Sequence, residues 1–128
     1  MKNREIKFRV WGAFYPDEKY KYIYGLSVNY NKYTNSNYAI DGCQQMYEEK
    51  DGYIIQQYIG LKDKNGKEIY EGDIIYDENC YTEIIWDEKH LIYREQNSVM
   101  NLSIGFNEKF KIKGKIVGNI FENFNLLK

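Results

Sequence analysis

Short runs of β-branched and aromatic residues, broken by Gly, Asn and Asp at spacings near ten residues, constrain this chain more than any other feature. Residues 4–11, REIKFRVW, alternate strictly. Ile6, Phe8 and Val10 fall on one face, and Glu5, Lys7 and Arg9 on the other. Period two with one apolar and one charged face predicts a half-buried strand. Gly12, Pro16 and Asp17 then predict a turn. Residues 20–30, YKYIYGLSVNY, predict a second strand, or two joined by a kink at Gly25. Residues 31–42, rich in Asn and Ser, predict an irregular loop. Residues 43–50, CQQMYEEK, are the best helix candidate, with Asp41 as its cap. Tyr53–Ile59 predicts a strand, and Asn65-Gly66 predicts a type I′ turn. Gly72-Asp73 predicts another turn. Thr82–Trp86 and Leu91–Arg94 form the arms of a hairpin around Asp87–His90, and residues 99–106 add a strand. Residues 109–121, KFKIKGKIVGNIF, are the clearest strand, with Lys109, Lys111, Lys113 and Lys115 on one face. Many short, evenly spaced strands mean a mainly β fold, a barrel or a sandwich.

The 128 residues suit one compact unit, divided here into an N-terminal β segment with an irregular loop, 1–52, and a barrel, 53–128. Fourteen tyrosines are unusual. Tyr packs its ring and keeps its hydroxyl wet, so a thin β fold accounts for the excess. A Tyr-rich recognition surface is the alternative. The net charge of −1 sets up no global field toward nucleic acid or anionic membrane. No apolar run approaches the roughly 20 residues of a membrane-spanning helix. The first residues lack the apolar stretch of an export signal, so the expected setting is the cytoplasm. There Cys43 and Cys80 are free thiols.

Catalytic chemistry finds little to work with. The single histidine, His90, sits in a polar Asp-Glu-Lys-His turn, and no serine or cysteine is marked as its partner. A structural zinc site wants four Cys or His ligands, and the chain has three, widely scattered. Glu68, Glu71, Asp73, Asp77 and Glu78 crowd together without calcium-loop spacing. No cofactor is therefore expected, although a divalent-metal enzyme using the acidic 68–88 region is one alternative function. Residues 68–88 hold eight acids and no Lys or Arg. The lysines of 109–115 are either a solvated strand face, which discourages edge aggregation, or a track for a phosphate backbone.

Three segments together resemble the YopX family of small proteins encoded by bacteriophages and prophages: REIKFRVW at the start, QYIGLKDKNGKEIYEGDII over Gln57–Ile75, and IVGNIFENFNLL at the end. The middle segment is the specific one. Family members commonly carry Pro where this chain has Phe124. The resemblance implies a β-rich fold whose latter half is like an SH3-type barrel, in a phage or prophage setting. It implies no activity and carries over no catalytic residue. In the middle motif Gly60, Gly66 and Gly72 recur every six residues as turn positions, and Asp73 bonds turn backbone. The loop Lys62, Asp63, Lys64, Asn65 and Lys67 is then either plain structure or a contact surface for a protein. The leading expectation is a non-enzymatic module that binds a host or phage protein. Nucleic acid is the alternative partner, no membrane is expected, and self-assembly is compatible with the sequence.

Overall fold

The structure, a computed structural model, describes residues 5–105 and 111–127. Among these residues it holds twelve β-strands, two short 3₁₀ turns and no α-helix. The chain divides into two compact units, Met1–Tyr58 and Ile59–Lys128.

The first unit contains β1 (Phe8–Phe14), β2 (Lys19–Tyr24), β3 (Ser27–Asn31), β4 (Ser36–Ile40), β5 (Met46–Glu48) and the start of β6 (Ile54–Lys62), the strand that runs through the division. β1 pairs antiparallel with β2 and with β6, placing Val10 opposite Ile23 and Ile55. β4 lies between β3 and β5. Val10, Phe14, Leu26 and Ala39 form the core, with Ile23, Val28, Tyr47, Tyr53 and Ile55 packed against them. Gly25 separates β2 from β3 at a positive φ of 78°, which a residue without Cβ adopts freely.

Three expectations for this unit need correction. Residues 43–50 are not a helix: Met46–Glu48 is strand β5, paired with β4, and Glu49–Asp51 is a single 3₁₀ turn. Two turns of helix make few hydrogen bonds on their own, and the ladder to β4 supplies more. Asp41 does cap, but it caps a turn. Its carboxylate accepts the N–H groups of Cys43 and Gln45 at 2.9 and 3.0 Å and the Tyr47 hydroxyl at 3.0 Å. Residues 31–42 are not an irregular loop, because Ser36–Ile40 returns as β4 in a hairpin with β3. Finally, the charged face of the first strand is not all in water. Arg9 is only 4% exposed.

The second unit holds the end of β6, β7 (Glu68–Tyr70), β8 (Asp73–Asp77), β9 (Cys80–Asp87), β10 (Ile92–Gln96), β11 (Asn101–Ser103) and β12 (Lys115–Asn119). β8 to β11 follow one another as an antiparallel meander, and β12 returns to pair with β8, giving the order β11-β10-β9-β8-β12. Ile59, Ile69, Ile75, Ile84, Tyr93, Ile104 and Ile112 form the core, with Leu61 and Ile116 against it. The expected hairpin around Asp87–His90 is the β9–β10 pair, with Arg94 opposite Ile85.

Here too the turns differ from expectation. Asn65-Gly66 is not a type I′ turn, since Gly66 has positive φ and Asn65 does not. The two-residue loop with positive φ at both positions is Glu78-Asn79, at 48° and 64°, between β8 and β9. Gly60 lies inside β6 and not at a turn, with φ 90°. Gly72 does turn the chain, and Asp73 Oδ2 accepts the Tyr70 N–H at 2.8 Å.

Candidate functional site

The lysine strand is the largest departure. Lys109 lies outside the described residues, Lys111 and Lys113 are in no strand, and β12 begins only at Lys115. Exposure nevertheless alternates along this stretch. Lys111 and Lys113 face solvent, while Ile112 enters the core and Gly114 is buried. Gly114, just before the ladder, lies directly against β8. A Cβ there would sit 2.5 Å from Ile75 Cγ2 and 2.6 Å from the Tyr76 carbonyl oxygen, so β8 is approached too closely for any side chain.

The structure brings this stretch to the loop between β6 and β7. The Lys64 N–H donates to the Gly114 carbonyl at 3.0 Å, and the Ile116 N–H donates to Asp63 Oδ2 at 2.9 Å. Asp63 Oδ1 accepts the N–H groups of Asn65 and Lys67, both at 2.9 Å. One buried carboxylate, 7% exposed, therefore shapes its own loop and ties it to residues 53 positions later. Burial alone would raise its pKa. The N–H groups of Ile116, Lys67 and Asn65, together with the Lys67 charge, outweigh burial and hold the carboxyl below 3.8.

The consequence is a basic edge. Lys62, Lys64, Lys67, Lys111 and Lys113 are exposed and Lys115 is half-buried. Among the described residues none of the six forms an ion pair. Two clusters that the sequence separates by almost fifty residues thus become one surface. Asp63 leaves the set of contact residues, because both its oxygens accept backbone N–H groups. Asn65 remains exposed beside the lysines.

Other titratable groups are accounted for differently. The Asp87 carboxylate takes the Arg94 Nε–H at 2.7 Å and lies 2.8 Å from His90 Nδ1. Arg94 first, then His90, hold Asp87 far below the usual carboxylate range. His90 therefore belongs to a turn-fixing network. A cleft of about 240 Å³ is lined by Asp77, Glu78, Cys80, Thr82, Glu95, Met100 and Leu102. Burial raises the pKa of Glu95, with Asp77 adding to it and a 3.4 Å hydrogen bond from Thr82 opposing it. No group of three or more His, Cys, Asp or Glu side chains among the described residues is arranged to hold a metal.

Sequence reasoning missed a cluster in the first unit. Gln56 Oε1 accepts from Arg9 Nε at 3.0 Å and from the Tyr22 hydroxyl at 2.8 Å. The Arg9 guanidinium lies 3.7 Å from the Tyr22 ring centroid, and Trp11 meets Tyr22 edge-on at 4.9 Å. The signal was the alternation of Tyr20, Tyr22 and Tyr24 on β2.

The whole chain has a structural counterpart of known coordinates. It superposes on the crystal structure of protein EF1440 from Enterococcus faecalis with a TM-score of 0.51 and 21% identity, over 98% of this chain and 100% of that one. This likeness defines the class as a mainly β fold with a curled half-barrel sheet. Residues 7–128 match the YopX protein family, and the chain belongs to that family. No curated protein is significantly similar to it. No helix among the described residues is long and apolar enough to cross a membrane.

Proposed function

We propose that this YopX chain is a non-enzymatic binding module, working in a bacterial cytoplasm for a phage or prophage, and that its contact surface is the lysine edge. The observation that carries the reading is the Asp63 bridge, which fixes Lys62–Lys67 against Lys111–Lys115. A rigid frame presenting an exposed loop is where binding residues concentrate. Like charges gathered on one edge cost repulsion unless an anionic partner offsets it. The partner on this reading presents negative charge, as an acidic host or phage protein or as nucleic acid. Within the same proposal the second unit is an SH3-like small barrel, supported by the β8–β11 meander and by β12 returning to β8.

The test is affinity capture from the bacterial host with the tagged chain and with its Lys64→Glu/Lys113→Glu variant, recovering both protein and nucleic acid. The reading predicts a reproducible anionic partner on the original chain that the variant loses. Identical recoveries from both would refute it.

A further inference from the structure

We infer that the anion read by the lysine edge is the phosphate backbone of duplex nucleic acid, bound without regard to sequence; the inference rests on the binding-module reading above. The first argument is residue type. The edge consists of Lys62, Lys64, Lys67, Lys111, Lys113 and Lys115, with no arginine among them. Protein–protein interfaces are enriched in Arg and depleted in Lys. Arg matches a carboxylate with a planar fork, whereas Lys is a mobile point charge that serves any phosphate within reach.

The second argument is spacing. Lys111 and Lys113 point outward at alternate positions while Ile112 points inward, the pattern of extended chain. Alternate residues of extended chain repeat at about 6.6 Å. Charges along one strand of a duplex rise about 3.4 Å each along the axis and also turn about it, so it is consecutive phosphates whose separation is comparable to that repeat.

The third argument is placement. The loop lysines are held beside this row by the Lys64 N–H to Gly114 carbonyl bond and by Asp63. Lysines spread along an edge, with no α-helix among the described residues to enter a groove, position a duplex without specifying sequence.

The experiment uses the full chain and a labelled 30-base-pair duplex of arbitrary sequence, titrated by fluorescence anisotropy from 50 to 200 mM salt. A scrambled duplex, the single strand and poly-L-glutamate serve as parallel probes. Five exposed lysines on phosphates predict a log–log salt slope of about −4 to −5, a loss of several hundred-fold across that range. Both duplexes should bind alike. Lys64→Glu/Lys113→Glu should weaken binding at least tenfold, while the charge-matched Lys19→Glu/Lys21→Glu pair on β2 should change it less than twofold. The wild-type salt slope reads the same claim if a variant fails to fold. Absence of duplex binding at 50 mM salt, or a slope shallower than about −2, overturns the inference. Tighter binding of poly-L-glutamate than of duplex, lost in the edge variant, also overturns it and leaves the binding-module reading with an acidic protein as partner. Failure of every anionic probe, together with identical captures, removes both.

Discussion

Replacing Asp63 by Asn tests the feature on which the basic edge depends. The native carboxylate accepts three backbone N–H groups, two on Oδ1 and one on Oδ2, in a site that is 7% exposed. Asn keeps the shape but turns one oxygen into an NH₂ group. That group must face either the Ile116 N–H or the pair from Asn65 and Lys67, so at least one buried donor loses its acceptor. Hydrogen bonds to a charged group contribute about 1.5–3 kcal/mol each, and an orphaned buried donor costs about 1–3 kcal/mol. The variant should therefore be less stable by roughly 2–4 kcal/mol in urea unfolding at pH 7, a large fraction of a small unit's stability. The pH dependence follows with a defined sign. The folded carboxyl titrates below its usual 3.8, so its contribution is complete above that value and is lost as pH falls through the folded pKa. Wild-type stability should fall as the pH drops below about 4, and Asp63→Asn should lack that share of the fall. A variant within about 0.5 kcal/mol of wild type, or one with the same acid sensitivity, would refute the assigned role.

Other outcomes follow from single observations. Gly114→Ala should destabilise by about 1–3 kcal/mol, because its Cβ would press on Ile75 and the Tyr76 carbonyl; an unchanged urea midpoint would contradict the close approach. Arg9→Met should lower stability because Gln56 Oε1 and the Tyr22 ring lose a buried partner, and hydrogen exchange should rise in β1 and β2 first. Glu95→Gln should raise stability at pH 7, since folding favours the protonated acid, and the gain should vanish as pH falls below about 4.5. Melting temperature should stay flat across Mg²⁺, Mn²⁺ and Ca²⁺, and a rise of several degrees with any of them would revive a metal role for the acidic region.

Much of the fold could be read from local pattern. The β9–β10 hairpin, the break at Gly25 and the burial of Ile69, Ile74 and Ile75 all follow from alternation and turn chemistry within a few residues. The failures share a cause in distant partners. Arg9 looked like a solvent-facing charge because Gln56, which accepts its Nε–H, is 47 positions away. Residues 43–50 looked helical because β4, the ladder they complete, is formed by a stretch that reads as loop. The basic edge was visible only as two separate clusters. What joins them is one carboxylate that looked like a member of a charged loop, and a glycine whose importance lies in β8 pressing against it.

The most direct measurement is a backbone-resolved NMR titration of the full chain with the 30-base-pair duplex at low salt. The account predicts chemical-shift changes concentrated on residues 62–67 and 111–116, fading as salt is raised. Shifts centred on β2 or on the acidic cleft around Thr82 and Glu95, with the lysine edge unmoved, would contradict it.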